Sequence, residues 1–109
     1  MTMVSDAPDV LGAAAEPNRR RILQLLARGP RNVGEIAAEF TSTRSATSQH
    51  LRVLTDAGLV AAEQAGRHRI YRVQPSGLQR LHAEIDRFWT DELDELVADA
   101  HAKASRRRR

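Results

Sequence analysis

Four polar residues between positions 45 and 52 have the spacing of a helix face that could bind nucleic acid. They are Ser45, Ser48, Gln49 and Arg52. Positions i, i+3, i+4 and i+7 share one side of an α-helix, and no member of this stripe is acidic. The major groove of DNA admits a helix, and Ser, Gln and Arg side chains can hydrogen-bond to its base edges. The stripe therefore predicts a helix that contacts DNA.

A polar stripe is more often just the solvated side of a helix, so its surroundings matter. Thr47, Leu51 and Leu54 lie on the other side of the same segment and could be buried. Gln pairs with adenine and Arg with guanine through two hydrogen bonds each. We predict that Arg52 contacts phosphates or the groove. The predicted base-contacting residues are Arg44, Ser45, Ser48 and Gln49.

A second basic cluster lies at the tip of a predicted β-hairpin. Its strands, Val60–Gln64 and His68–Val73, are separated by a Gly66-containing turn. A hairpin tip can reach phosphates, or a narrow A·T minor groove, where Arg is favoured. Arginine on an edge strand can instead serve only to discourage aggregation. We predict DNA contacts for Arg67, His68 and Arg69, with Arg72 further along the hairpin.

Helices must position both clusters. The second helix is delimited by a proline in its first turn and by Gly29-Pro30 after its last turn. Asn32 and Glu35 form a capping-box pattern at the start of the third helix. The predicted fold is mainly α with a two-stranded β-wing, in the order α-α-α-α-β-β-α. The predicted helices are Asp6–Ala15, Pro17–Ala27, Val33–Phe40, Ser45–Ala57 and Ser76–His101.

Length and composition bound the other possibilities. The 109 residues predict one domain over 1–105 and a basic disordered tail at 106–109. No apolar run approaches the roughly 18 residues of a membrane span, and residues 1–9 lack a signal pattern, so a cytoplasmic protein is expected. The chain has no cysteine for disulfides or thiolate metal sites. We find no nucleophile–base pair, phosphate loop or convergent carboxylates, and predict no enzymatic activity.

The net charge of +3 conceals a strong polarity along the chain. Residues 1–73 carry ten arginines and seven acidic residues, whereas residues 74–105 carry three basic and seven acidic ones. The last four residues are all arginine. Positive charge thus accompanies the stripe and the hairpin, where phosphates would lie, and affinity for DNA should fall with salt.

The last helix carries more apolar residues than one core can cover. Together with the first helix, its remainder would stay exposed in a monomer, and large exposed apolar patches usually mark an interface. Both helices could instead fold back on their own subunit. The residues predicted to form a dimer interface are Val10, Leu11, Leu81, Ile85, Phe88, Trp89, Leu93 and Leu96.

Three segments, in matching order, resemble the ArsR/SmtB winged-helix regulators. Ser45–Val60 resembles the recognition-helix signature of that family, Glu16–Leu26 the opening of its second helix, and Gly66–Val73 its β-wing. The resemblance extends from Val10 to about Val97. It implies a winged helix-turn-helix homodimer joined through the first and last helices. It also implies a DNA-binding transcription regulator, most often a repressor, that binds an inverted-repeat operator in double-stranded DNA.

Many family members respond to a metal or another effector. The resemblance places the family's thiolate site at Asn32, Gly34 and Ala37, which cannot bind a soft metal. Its last-helix site begins with an Asp-x-His pair that Asp99 and His101 match, but the second half is missing. The chain thus resembles the cysteine-free members that bind no metal. We predict no metal and no cofactor, and the sequence does not identify an effector.

The sequence departs from the family pattern at the turn between its two central helices. The family usually has glycine where Thr41 stands, and often valine where Thr47 stands. Glycine relieves the left-handed conformation at a helix end, so a different turn is predicted here. The N-cap of the second helix must come from Glu16 or Asn18. The alternative function is a winged-helix module for protein–protein contact, without sequence-specific DNA binding.

Overall fold

The computed structural model describes residues 9–107, with side chains described as far as residue 102. It confirms the predicted mainly α, winged helix-turn-helix architecture and adds one short strand. The elements are α1 (Val10–Ala15), α2 (Pro17–Leu26), β1 (Arg31–Asn32), α3 (Val33–Ala38), α4 (Arg44–Asp56), β2 (Val60–Ala65), β3 (His68–Val73) and α5 (Pro75–Arg107). The predicted start of the first helix at Asp6 lies outside the described residues.

Side-chain caps fix where the helices begin. The Glu16 carboxylate accepts a hydrogen bond from the Arg19 backbone N–H at 2.9 Å, so Glu16 is the N-cap of α2. The capping box of α3 is confirmed: Asn32 Oδ1 accepts from the Glu35 N–H, and Glu35 Oε1 accepts from the Asn32 N–H, both at 2.9 Å. These bonds satisfy amide groups that a helix start otherwise leaves unpaired.

The turn between α3 and α4 forms without a left-handed residue. Helix α3 ends at Ala38, before the predicted Phe40, and no described residue other than glycine has a positive φ. Thr41 is therefore accommodated without the glycine conformation. Thr47 is buried, and its hydroxyl donates to the Thr43 carbonyl at 2.9 Å, so its polar atom is satisfied within α4.

The sheet has three antiparallel strands in the order β1-β3-β2, where the sequence predicted two. Strands β2 and β3 pair from Val60 with Val73 to Ala65 with His68, leaving a two-residue turn. Gly66 has φ of 62° there, the positive value required at the first central position of such a turn. Strand β1 is only two residues long and pairs with Ile70 and Tyr71 of β3, so it had no alternating pattern to reveal it.

The core lies between α1, α2, α3, α4 and β2. Ile22, Ile36, Leu51, Leu54 and Leu59 are its largest fully buried aliphatic side chains. Burying a side chain of this size contributes about 1.5–3 kcal/mol. Core packing therefore holds α4 against the body by its apolar face.

Val10, which the sequence predicted in a dimer interface, is buried in the core of the single chain. Its exposed fraction is 3%. Leu11, the neighbouring residue predicted for the same interface, retains partial exposure. A six-residue helix has too few turns for its sequence to show which side faces its own core.

Helix α5 extends far beyond the body. Its 33 residues span about 50 Å at 1.5 Å per residue. The molecule measures 72 Å along its longest axis and has a radius of gyration of 19.2 Å, against about 13 Å for a compact chain of this length. The helix passes its predicted end at residue 101 and includes residues 106 and 107 of the predicted tail; residues 108–109 lie outside the described part.

Candidate nucleic-acid interface

Helix α4 presents the predicted stripe to solvent. Thr47, Leu51 and Leu54 have exposed fractions of 1%, 0% and 0%, and they fix the rotation of the helix about its axis. The stripe on the other side is fully available for contact. Arg44, the first residue of α4, extends this stripe to five residues, and all five are exposed: Arg44, Ser45, Ser48, Gln49 and Arg52.

The side chain of Arg44, the first residue of α4, lies over α3. The guanidinium of Arg44 lies so close to Gly34 that a Cβ added there would approach its Nη2 to 2.6 Å. The Asn32 carboxamide oxygen would be 3.3 Å from the same Cβ. Gly34, which the sequence marked only as a non-ligating position, thus leaves room for a cation at the start of the stripe.

The wing adds a further cation, Arg69, to the same surface. Arg69 shares one face of β3 with Tyr71 and Val73, both of which pack against the core, so Arg69 is directed toward α4. Arg69, Ser48 and Arg52 line a common polar cleft of about 320 Å³. The structure therefore joins two predicted clusters that are remote in sequence.

Three further residues of this cleft were missed by the sequence analysis. They are Thr55, Asp56 and Tyr71. The Thr55 hydroxyl donates to the Leu51 carbonyl at 2.7 Å, and Asp56 adds the cleft's one carboxylate. Their spacing carries no separate signal, because only the packing of β3 beside α4 brings them together.

The remaining wing residues divide between the tip and the outer face. Arg67 in the turn and His68 at the start of β3 are both exposed, and their contact with DNA stays a prediction. Arg72 alternates with Arg69, so it lies on the opposite face of β3, where its guanidinium pairs with the Glu63 carboxylate. Arg72 therefore serves as a control for Arg69, because it is the same residue type on the same strand but is directed away from α4.

His50 lies beside the stripe, in the join between α4 and α2. Its Nδ1 is 3.8 Å from Glu16 Oε2, and both side chains are partly buried. The pKa of Glu16 is lowered, first by the hydrogen bond from the Arg19 backbone N–H and then by His50, against an opposing effect of burial. The negative charge of Glu16 therefore caps α2 and faces the helix that carries the stripe.

The described side chains do not assemble a metal site. No group of three potential His, Asp or Glu ligands lies together in residues 9–102. Asn32 is engaged in the capping box, and His82 faces Asp86 at 3.5 Å one turn away on α5.

The predicted interface residues other than Val10 lie at the surface or its edge. Leu11 and Leu81 are partly buried, and Leu81 packs against the core. Phe88 contacts Trp89 edge to face, with ring centroids 5.8 Å apart. The other exposed members are on α5: Ile85, Phe88, Trp89, Leu93 and Leu96.

Comparison with known proteins agrees with this geometry. Residues 16–62 match the profile described as "Bacterial regulatory protein, arsR family". The HTH-type transcriptional regulator Rv2034 of Mycobacterium tuberculosis is 47% identical over 78 residues, which cover 72% of this chain and 73% of that protein. The chain belongs to the ArsR family. It is a DNA-binding transcriptional regulator of the winged helix-turn-helix class.

Solved ArsR-family structures share the fold. A protein described as a possible transcriptional regulator for arsenical resistance is 56% identical, with a TM-score of 0.75, covering 88% of this chain and 97% of its own. The homodimeric winged helix-turn-helix DNA-binding domain of Mb0332 from Mycobacterium bovis is 32% identical, with a TM-score of 0.62, covering 79% and 80% respectively. In the described part of our ArsR-family chain, no helix is long and apolar enough to cross a membrane.

Proposed function

We propose that this ArsR-family protein is a homodimeric repressor that binds an inverted-repeat operator. One observation carries the proposal: the exposed stripe of α4 and Arg69 of the wing form one continuous surface through a shared cleft. The stripe is uncharged in its middle and cationic at both ends. A surface of this kind suits base edges flanked by phosphates.

The roles of the side chains follow from their positions. Ser48 and Gln49 stand at the centre of the exposed face, where they would meet base edges in the major groove. Arg67 and Arg69 extend from the wing and would neutralise phosphates on either side of the groove. Asp56 at the end of the cleft would repel a phosphate, so it limits how far the backbone enters between helix and wing.

A homodimer would supply the specificity that one stripe lacks. A single reading helix touches few base pairs, and each mismatch costs only about 1–3 kcal/mol. Two copies double that discrimination. The homodimeric domain from Mycobacterium bovis supports this state, and SdpR of Bacillus subtilis, 32% identical over 71 residues, is named a transcriptional repressor. Repression would follow from blocking polymerase in the cytoplasm, where the operator lies.

The direct test is gel retardation of the protein's own upstream DNA against an unrelated duplex of equal length. We expect tighter binding to the upstream fragment, and we expect Gln49→Ala to remove most of that preference. The loss should be about 1–3 kcal/mol, because the bidentate contact is made only with the correct base. No retardation at low salt would favour a protein-contact module. If the wild type and the Gln49→Ala variant bound both duplexes with equal affinity, base reading by α4 would be contradicted.

A further inference from the structure

Helix α4 borders a second cleft, on the side that faces α1 and α2. The volume of this cleft is about 420 Å³, which lies within the range of pockets that hold small ligands. Residues from all three helices and from the N-cap of α1 line it, among them Asp9, Ala13, Arg19, Val53, Asp56 and Ala57. A small organic molecule in this cleft would therefore contact α4 on a side that does not carry the polar stripe.

The apolar part of the lining comes mainly from α4. Val53 keeps 40% of its surface exposed, although Leu51 and Leu54 on the same helix are fully buried. Val53 follows His50 by three residues and precedes Ala57 by four, so the three share the face of α4 on which His50 reaches the N-cap of α2. Val53 thus offers an apolar contact to a molecule that enters the cleft.

The charged side chains of the cleft favour a cation as its ligand. The guanidinium of Arg19 already donates to two carbonyls of α1, through Nε to Ala13 at 2.7 Å and through Nη2 to Gly12 at 3.4 Å. The Asp9 carboxylate accepts one hydrogen bond, from the Gly12 N–H at 2.8 Å, and can accept more. Among the side chains described in residues 9–102, none forms an ion pair with Asp56. The lining thus holds two carboxylates and one guanidinium that is already engaged, so a positive charge suits it.

This cleft is separate from the predicted dimer contact. Asp9, Gly12 and Ala13 have the spacing of one face of α1, and all three line the cleft. Leu11, which is predicted in the dimer interface, lies on a different face and lines an apolar cleft beside α5 instead. Helix α1 thus keeps the two surfaces apart, and a second copy that covers Leu11 leaves this cleft open to a ligand.

Asp56 connects this cleft with the surface that we propose to read DNA. It also lines the cleft between α4 and β3, together with Arg52 and Arg69, where its charge would repel a phosphate. A cation bound beside Asp56 would offset that repulsion. Because coupling between two binding sites is reciprocal, the cation and DNA would each strengthen the binding of the other.

We propose that the cleft between α1, α2 and α4 binds a small organic cation, a protonated amine with an apolar group, and that this ligand increases the affinity for DNA. The ammonium group contacts the carboxylates of Asp9 and Asp56, and the apolar group packs against Val53. The binding site stands on the cleft itself, whereas the effect of the ligand on DNA rests on the proposed function. In a repressor, such a ligand acts as a corepressor.

Titration of the DNA-free protein, followed by nuclear magnetic resonance, tests the site. The probe is phenethylammonium, and the matched control ligand is phenethyl alcohol, which carries a neutral hydroxyl in place of the ammonium group. For a probe this small we expect a Kd in the millimolar range. The backbone amide shifts should centre on Val53, Asp56, Ala57 and the adjoining residues of α1. Phenethyl alcohol should bind about fivefold more weakly, because it cannot pair with the carboxylates.

Two matched variants define the outcomes. Asp56→Asn removes a charge from an exposed position without a change of shape, and it should weaken phenethylammonium about fivefold while phenethyl alcohol binds as before. Glu39→Gln is the control, because Glu39 is exposed at the end of α3 and lines a different cleft. It should bind both probes like wild type. A wild type that shows no saturable shifts at the cleft, that binds both probes equally, or that binds the amine no better than Asp56→Asn would overturn the proposal.

Gel retardation of the upstream fragment at constant ionic strength tests the coupling. We expect saturating phenethylammonium to tighten the binding of wild type to DNA about fivefold. Asp56→Asn should bind more tightly than wild type without the probe and should no longer respond to it, whereas Glu39→Gln should still respond. A probe that fills the cleft but leaves the DNA affinity of wild type unchanged, or lowers it, would overturn the coupling. A probe that fills the cleft of a protein that retards no duplex would contradict the proposed function and leave the site intact.

Discussion

Substituting two arginines of the wing in turn can distinguish a DNA contact from a general effect of surface charge. Arg67 projects from the turn of the wing, whereas Arg72 lies on the outer face of β3 paired with Glu63. We expect Arg67→Ala to weaken binding to every duplex and to reduce the log–log salt slope by about 0.9 for each phosphate that is no longer neutralised. Arg72→Ala is the control and should change neither quantity. An unchanged salt slope in Arg67→Ala would contradict phosphate contact by the tip.

Glu16 links the charge of one residue to the stability of the fold. Its pKa in the folded protein is lowered from 4.5, so the ionised form stabilises the folded state. That contribution is fully present above pH 4.5 and is lost as the pH falls through the lowered value. Glu16→Gln should therefore lower Tm at neutral pH, and the difference from wild type should shrink as the pH falls below the ordinary carboxyl range. Thermal melts that differ equally at neutral and strongly acidic pH would contradict this.

At the level of elements, the contact between α5 and the segment that joins α4 to β2 requires a glycine at position 77. Gly77 is buried, and a Cβ added there would overlap the Gly58 carbonyl and come within 2.9 Å of Leu59 Cα. Because these are backbone atoms, α5 would have to move. We expect Gly77→Ala to cost about 1–3 kcal/mol and to lower Tm by several degrees. Ser76→Ala, at an exposed neighbouring position, should melt like wild type; equal Tm values for both variants would show that α5 is not seated by this contact.

The elements themselves could largely be predicted, because local chemistry determines them. Asn32 and Glu35 indicate the start of α3, and alternation with a central glycine indicates the hairpin. What could not be predicted depends on contacts between distant segments. The two residues of β1 are too few to show a pattern, and the approach of Arg69 to Ser48 depends on how β3 packs beside α4. The stripe was visible from spacing alone, whereas the cleft that joins it to the wing was not.

For the whole molecule, we predict that DNA spacing matters as much as DNA sequence. Two reading helices in a closed dimer should meet half-sites about one helical turn apart, roughly 34–36 Å or 10–10.5 base pairs. Inserting about five base pairs between half-sites rotates one of them to the far side of the duplex, and affinity should fall toward that of a single half-site. Affinity that is indifferent to such an insertion, measured by titration at fixed salt, would show that the two copies do not bind together.

The central claim is that two copies of the α4 stripe, each extended by its wing, read one operator. Selection of binding sites from a random duplex library, followed by sequencing, tests it most directly. We predict enrichment of an inverted repeat with half-site centres about 10–10.5 base pairs apart, and disappearance of that motif in Gln49→Ala. Recovered sequences as random as the starting library, or a motif that persists unchanged in the variant, would contradict it.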